Sequence, residues 1–188
     1  QGHMHIDYTK NDYLGLLTYS DSLAMHQRRV LENVQKKIKE VSPNTKLIYL
    51  IAPNHSSVYP ETIPDWMQKM KNPRMKSRLE VMTEVMADSH VTFLNPTDYL
   101  RSKKNDGEYD EFRLYNKTDS HWTELGAYYA YVRIVTDLGQ TPYSLSEFTR
   151  ETVSDEFFGT TWSFAGIPFV SPDEMELFRF ENDGDYTV

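Results

Sequence analysis

A carboxylate and an imidazole stand two residues apart in residues 118–123, which read TDSHWT. In an extended chain, residues two apart project to the same side, so Asp119 and His121 are expected to lie together. A carboxylate that orients an imidazole is the general-base half of a nucleophilic triad. Spacing alone nevertheless favours an inert, hydrogen-bonded histidine at a strand-to-helix corner, because Asp-x-His is a short and common pattern.

The same two residue types could also bind a divalent metal. A closed metal site needs further ligands, and the sequence has no His-x-x-His pattern to supply them. The chain also lacks cysteine, which excludes disulfides, thiol catalysis and cysteine-based zinc sites. The sequence therefore predicts no metal, and without a nucleotide or flavin fingerprint it implies no organic cofactor.

Two longer segments carry a family resemblance. The run TDSHWT, followed by Leu125, Gly126 and Ala127, resembles the Asp-x-His-Trp-Thr signature of the AlgX/AlgJ and DHHW group. Residues 53–61, PNHSSVYPE, resemble the group's Pro-Asn-Lys-x-x-Ile-Tyr-Pro-Glu segment, with His55 in place of Lys. The resemblance covers roughly residues 20–180. These proteins are SGNH-hydrolase-like, belong to the bacterial cell envelope, and include O-acetyltransferases of exopolysaccharides.

The resemblance implies a role for each residue of the pair. Asp119 would orient and His121 would act as general base for a serine, which lies later in the sequence in a Gly-Asp-Ser turn. No such turn occurs in this chain, and neither Ser163 nor Ser171 is predicted in a strand-to-helix elbow. Either the nucleophile belongs to a missing C-terminal part, as we expect, or the protein is not a catalyst.

Further residues are candidates for binding the substrate. Trp122 offers a flat wall beside the pair, and Asn54 and Tyr59 could line the same crevice. Tyr115 and Trp162 could stack on sugar rings. Each also has an ordinary structural explanation, as a turn residue or a packed aromatic.

The elements that must position these residues alternate between helix and strand. Apolar residues at three- and four-residue steps predict a helix from Ser20 or Asp21 to Val41. Short apolar runs predict buried strands at 46–52 and 91–94 and a third strand ending at Leu114 and Tyr115. Further helices are predicted from about Pro73, with a methionine stripe in the core, and from Thr123 to Gly139.

The segment after Gly139 is less regular. A helix is predicted at 144–152, a loop with an aromatic tip at 158–162, and an extended segment at 177–180. The alternation indicates an α/β fold with helices on both faces of a sheet. The resemblance implies more specifically an SGNH-hydrolase-like three-layer sandwich with a mainly parallel sheet. In such sheets the loops after the strands meet at one edge, so the loops after Ala52 and Tyr115 are expected to meet there.

Length and charge narrow the function further. The 188 residues carry a net charge of −8, which argues against nucleic acid and anionic membrane surfaces as partners. No apolar run approaches the ~20 residues of a membrane helix. Residues 1–4 resemble a tag remnant, and residues 5–188 are expected to form a single domain that is truncated at its C-terminus. A signal or anchor is expected to have been removed, which places the protein in the cell envelope or outside the cell.

The leading hypothesis is an O-acetyltransferase or acetylesterase that acts on a cell-envelope polysaccharide or exopolysaccharide through a Ser-His-Asp triad. The resemblance implies two partners, the polysaccharide and an acetyl donor such as a membrane-bound acetyl carrier protein. The sequence does not separate transferase from esterase. The alternative is a non-catalytic carbohydrate-binding or scaffold protein of a polysaccharide export or modification machine.

Overall fold

The computed structural model describes residues 3–105 and 114–180. The chain divides into two compact units. We call Asp7–Thr97 the N-terminal unit, and Gln1–Ile6 together with Asp98–Val188 the C-terminal unit.

The N-terminal unit is built on two short parallel strands. Its helices are α1 (Asp7–Tyr13), α2 (Asp21–Val41), α3 (His55–Val58), α4 (Asp65–Gln68) and α5 (Arg78–Met86), with a 3-10 turn at Pro60–Thr62. Its strands are β1 (Ile48–Leu50) and β2 (Thr92–Leu94). The strands pair in parallel with Tyr49 opposite Phe93. Parallel strands need a long crossover, which the segment containing α3, α4 and α5 provides. The two predicted strands are confirmed with shorter bounds.

Helix α2 begins and ends where the sequence predicts. Ser20 caps it, because its side chain accepts a hydrogen bond from Leu23 N, and such a cap satisfies an otherwise unpaired backbone donor. The buried face differs from the expected one. Ala24 and Gln35 are buried, whereas Leu23, Val30 and Val34 are exposed.

The hydrogen bonds of Gln35 explain part of this difference in the buried face of α2. Its Oε1 accepts from Leu47 N at 2.6 Å and its Nε2 donates to Thr45 O at 3.4 Å. These bonds satisfy a buried amide and fix α2 against the start of β1. Gln35 is thus buried, although the apolar pattern of α2 predicts that its apolar neighbours are buried instead.

The core of the N-terminal unit lies between α2, α5 and β2. Its buried cluster consists of Ala24, Val81, Met82, Met86 and Val91. Met82 and Met86 confirm the predicted methionine stripe, but Met75 is exposed. Helix α5 begins at Arg78 rather than near Pro73, because Ser77 and Glu80 form a capping box there that defines the helix start.

The C-terminal unit combines a long helix with a hairpin. Its helices are α6 (Thr97–Ser102, starting at the last residue of the N-terminal unit), α7 (Glu124–Asp137) and α8 (Thr160–Ala165). Its strands are β3 (Phe148–Phe157) and β4 (Asp173–Phe180), which pair antiparallel. Gly139 follows α7 with a φ of 74°, a left-handed conformation that suits glycine after a helix, as predicted.

Two predictions for this region are wrong. The helix predicted at 144–152 is absent from these described residues. A 3-10 turn covers Leu145–Glu147, and β3 follows directly, because the β-branched and aromatic residues of FTRETVSDEF favour a strand. The predicted loop at 158–162 includes the start of helix α8. The extended segment at 177–180 is confirmed as the end of β4.

The third parallel strand does not appear in the described residues. Leu114 lies in a turn, and Tyr115 forms an isolated bridge with Trp122. The rest of the predicted strand falls within 106–113, and the C-terminal end of the chain within 181–188; both lie outside the described residues. Among the described helices, none is long and apolar enough to cross a membrane.

Candidate active site

Asp119 and His121 lie side by side in the loop before α7. His121 Nδ1 is 3.0 Å from Asp119 Oδ1. The loop runs through residues 117–121 as a series of bends, not as the extended segment expected from the sequence. Asp119 instead folds back on its own loop, since Ser120 N donates to the same Oδ1 at 2.6 Å, a local bond typical of aspartate in turns. The two side chains are therefore paired, as predicted, by a different backbone geometry.

Asp119 is buried, and its carboxylate is hydrogen-bonded. Thr160 Oγ1 donates to Asp119 Oδ1 at 2.7 Å from the start of α8. Burial acts to raise the pKa of Asp119, but the hydrogen bonds from Thr160, His121 and Ser120 outweigh burial and lower the pKa below its ordinary value. The carboxylate is therefore ionised at neutral pH and accepts a proton-bearing nitrogen from His121.

His121 has the opposite environment. Its side chain is 72% exposed, against 9% for that of Asp119. Because the ionised carboxylate holds Nδ1 as a donor, the tautomer leaves the lone pair on Nε2. The pair thus presents one basic nitrogen to solvent on a buried, negatively charged support, which is the arrangement that a general base needs.

A second carboxylate, that of Asp173, binds the loop that carries Asp119 and His121. Asp173, the first residue of β4, accepts from Lys117 N at 2.7 Å, from Thr118 N at 2.8 Å and from Thr118 Oγ1 at 2.6 Å. Thr118 in turn receives Gly159 N on its hydroxyl and Trp162 N on its carbonyl, both at 3.0 Å. The loop, the end of β3 and α8 are thereby connected through one buried threonine.

Gly159 lies against Asp119. A Cβ atom at position 159 would stand 2.3 Å from Asp119 Cβ and 2.7 Å from Oδ2, far inside van der Waals contact. Only glycine allows α8 to approach the carboxylate so closely. This close approach lets Thr160 reach Asp119.

The residues after His121 anchor helix α7. Thr123 is its N-cap, and its hydroxyl accepts from Gly126 N at 3.3 Å, as predicted. Trp122 is half-buried, so part of its ring remains available beside His121. A Cβ at Gly126 would lie 2.3 Å from Leu114 O, which explains the glycine of the Leu-Gly-Ala run by packing.

The aromatic candidates for substrate binding differ in how far their side chains are buried. Trp162 is half-buried, its Nε1 donates to Ile167 O at 2.8 Å, and its ring lies 4.7 Å from that of Phe158. Tyr115 is 2% exposed and Tyr59 0%, so neither ring has a face open to a sugar. The expected substrate-stacking role of Tyr115 and the crevice-lining role of Tyr59 are therefore corrected to packing roles.

The second resemblance segment belongs to the N-terminal unit. Asn54 is half-buried at the start of α3, and His55 is buried edge-on to Tyr59 with ring centroids 5.4 Å apart. The pair Asp119 and His121 belongs to the C-terminal unit. The expected meeting of the two loops at one sheet edge stays a prediction.

The triplet Asp-Ser-His occurs a second time, at residues 88–90, where sequence reasoning overlooked it. There Asp88 forms an ion pair with Arg28, and His90 faces Glu32 at 3.8 Å. Identical residue types at identical spacing thus form no Asp–His pair at the second position. In the described residues no group of three His, Asp or Glu side chains could hold a metal ion.

Sequence reasoning missed Thr160 and Asp173. Thr160 lies 41 residues from its partner Asp119, and Asp173 lies 55 residues from its partner Thr118. A threonine in a predicted loop and an aspartate in a predicted turn carry no signal of such distant partners. Gly159 was a visible clue, because a glycine before a short polar run is compatible with close backbone approach.

A family model described as the SGNH hydrolase-like domain of the acetyltransferase AlgX matches residues 10–162. The match includes the Asp119 and His121 corner and both resemblance segments. The chain belongs to this AlgX family. The AlgX match ends at Trp162, so Asp173 and β4 lie beyond it. No curated protein sequence matched the chain.

Solved structures agree with the AlgX-family fold. A DHHW family protein from Eubacterium siraeum superposes with a TM-score of 0.61 at 19% identity, over 80% of this chain and 46% of that one. PatB1 of Bacillus cereus gives 0.61 at 12% identity, over 87% and 54%. AlgX of Pseudomonas aeruginosa gives 0.52 at 17% identity, over 87% and 38%. The fold is therefore SGNH-hydrolase-like α/β, and the chain spans about half, or less, of these neighbours' lengths.

Proposed function

We propose that the protein is a polysaccharide O-acetyltransferase or acetylesterase in which Asp119 orients His121 and His121 is the general base. The observation that carries the proposal is the 3.0 Å contact between His121 Nδ1 and Asp119 Oδ1. It joins an exposed imidazole to a buried carboxylate, which Thr160 also binds. Membership of the AlgX family supports the reaction class.

The proposed chemistry is acyl transfer in two steps. His121 Nε2 takes the proton of a serine hydroxyl while the serine oxygen attacks the carbonyl carbon of an acetyl donor. The tetrahedral intermediate collapses, the bond to the donor oxygen breaks, and the leaving group receives the proton from His121. A sugar hydroxyl or water then attacks the acetyl-serine in the same way, which returns the serine hydroxyl and yields acetylated sugar or acetate.

The proposed nucleophile of this mechanism is a serine. In the described part of the chain, no serine hydroxyl is hydrogen-bonded to His121; Ser163, the serine of α8, donates to Gly159 O at 3.2 Å. The resemblance places the serine later in the sequence than His121. We propose that it joins His121 in the full-length protein.

Trp122 and Trp162 are the proposed contacts for the saccharide in the C-terminal unit. Both are half-buried, and exposed aromatic faces are suited to the apolar faces of sugar rings. The net charge of −8 favours a neutral or cationic polysaccharide over an acidic one. We further propose an extracytoplasmic location and a membrane-bound acetyl carrier as the donor.

A second candidate function is a non-catalytic saccharide-binding scaffold. Among the described residues His121 is hydrogen-bonded to Asp119 and to no serine hydroxyl, which favours this second function. The two functions are separated by acetyl-ester turnover in the full-length protein: the enzyme loses turnover when His121 is replaced, whereas the scaffold shows saccharide binding and no turnover at all.

A further inference from the structure

The N-terminal unit contains a polar cavity whose described lining does not include Asp119 or His121. It has a volume of about 280 Å³ and opens beside Ile51, Ala52 and Asn54, the residues that follow β1. In open α/β sheets, ligands bind outside the carboxyl ends of parallel strands. The cavity therefore occupies the part of this unit where a ligand site is expected.

One ion pair supplies the formal charge of the cavity wall. Asp12 is 5% exposed, and its Oδ1 accepts from Arg78 N at 3.0 Å. Arg78 Nε lies 3.9 Å from the same oxygen. Burial raises the pKa of Asp12, against the opposing effect of Arg78. Among the described lining residues, Asp12 and Arg78 are the only Asp, Glu, Lys or Arg side chains, so their ion pair leaves the wall without net charge.

Aromatic rings hold the guanidinium and form much of the remaining wall. Arg78 lies 4.6 Å from the centroid of Tyr8 and 5.7 Å from that of Tyr19, distances at which a cation is attracted to a ring. Tyr49, on β1, adds a third ring to the lining. The cavity thus offers flat apolar faces beside a fixed donor and a fixed acceptor.

Uncharged hydrogen-bonding groups complete the wall. Tyr19 Oη donates to Gln27 Oε1 at 2.6 Å, which leaves the amide nitrogen of Gln27 as a donor. Asn54 occupies the N-cap of α3, but within the described part of the chain its side chain makes no capping hydrogen bond. Its carboxamide can therefore both donate to and accept from a ligand.

We infer that this cavity binds a single uncharged sugar ring through Asp12, Asn54 and Arg78, with the ring packed against the tyrosines. A wall without net charge favours an uncharged ligand over a strongly charged one, and the mixture of planar polar groups with aromatic rings matches a ligand with hydroxyls on its edge and C–H groups on its faces. The volume lies just below the ~300–1,000 Å³ of pockets that bury drug-sized ligands, so the cavity is the size for one ring. The choice of a saccharide over another neutral polyol rests on the proposed function.

The test is a titration of the isotope-labelled 188-residue protein, followed by the chemical shifts of its backbone amides. The probes are N-acetylglucosamine and glucose as neutral sugars, glucuronate as an anion and glucosamine as a cation. The expected result is saturable shifts with a neutral sugar at Tyr49, Ala52, Asn54 and Arg78, and weaker ones with the charged sugars. Shifts confined to other residues, stronger binding of a charged sugar, or none with any probe would overturn the inference.

Two variants make the test specific. Asp12→Asn keeps an oxygen for Arg78 N and should weaken the neutral sugar about tenfold, as expected for loss of a charged acceptor. Asn54→Ala removes no cap bond, so the fold is retained, and should weaken it about threefold. Unchanged affinity in both folded variants would contradict the site. His121→Ala should bind the sugar like the wild type, which separates failure of this inference from failure of the proposed chemistry.

Discussion

Thr160 Oγ1 donates a hydrogen bond to Asp119 Oδ1 at 2.7 Å, across 41 residues of sequence. The same oxygen accepts from His121. A residue of α8 therefore holds the carboxylate in place, and the carboxylate in turn orients the imidazole. Gly159, directly before Thr160, allows this contact because it has no side chain. The proposed catalytic pair is thus a local sequence motif held by a helix that is distant in sequence.

Asp119→Asn should reduce turnover of acetyl ester by the full-length protein while the protein stays folded. The amide carries no negative charge to stabilise the imidazolium of His121, and in a Ser-His-Asp triad this change costs about 10⁴ in kcat. We expect a loss of about 10³–10⁴ in kcat with little change in KM. Ser120→Ala is the matched control, since it keeps the backbone donor to Asp119 and should retain turnover. Equal activity in both variants would remove Asp119 from the mechanism.

Thr160→Val should raise the pKa of Asp119, because it deletes one of the hydrogen bonds that lower it. A carboxyl whose pKa is depressed in the folded state stabilises the protein above its ordinary pKa of 3.8 and loses this contribution as the pH falls below that value. The variant should therefore be less stable by about 1–2 kcal/mol at neutral pH, and the difference should shrink in acid. Denaturant unfolding at several pH values measures this.

Thr161→Val is the control for that experiment. Thr161 is buried, and its Oγ1 has no hydrogen-bond partner among the described residues. Replacing an unsatisfied hydroxyl by a methyl group of the same shape should be neutral or stabilising. If both valine variants lost the same stability with the same pH dependence, the Thr160 contact would not explain the pKa of Asp119.

Gly159→Ala should displace Asp119, because the new Cβ would stand 2.3 Å from Asp119 Cβ. Overpacking of this kind costs about 1–3 kcal/mol, and turnover should fall with it. Gly166→Ala is the control that lowers stability without displacing Asp119. Gly166 has a φ of 60° and open space around it, so the change should cost about 1 kcal/mol without loss of turnover. Equal activities at equal stability would show that the close approach of α8 is not required.

Asp173→Asn should destabilise the loop under the pair. The carboxylate accepts three hydrogen bonds from Lys117 and Thr118, and an amide can accept on one atom only. We expect a loss of about 2–3 kcal/mol in the free energy of unfolding, seen as a lower Tm. Asp155→Asn, an exposed change on β3, should leave the Tm unchanged; a similar fall in both would argue against the special role of Asp173.

Local patterns in the sequence were sufficient for the Asp119–His121 contact and for several of the helix and strand positions. The caps at Ser20 and Thr123 and the Asp119–His121 contact all depend on residues a few positions apart. The repeated Asp-Ser-His at 88–90 shows the limit of spacing, because there the partners are Arg28 and Glu32. Long-range contacts give the two triplets their different partners, which spacing alone does not predict.

The wrong predictions have a common physical origin. Gln35 occupies the core because distant backbone groups satisfy its amide, and Tyr115 and Tyr59 are buried by packing that no local pattern encodes. The strand at β3 was assigned to a helix because its exposed alternation lacks a strong apolar face. Tertiary contacts override local preference at each of these positions.

The most direct measurement is acetyl-ester turnover by the full-length protein, with p-nitrophenyl acetate as donor and with and without a neutral oligosaccharide acceptor. The wild type is compared with His121→Ala and with His90→Ala, a histidine from the second Asp-Ser-His triplet. We predict that His121→Ala loses turnover about 10³-fold or more, while His90→Ala keeps it. Turnover in His121→Ala equal to that of His90→Ala would contradict the assignment of His121 as the general base.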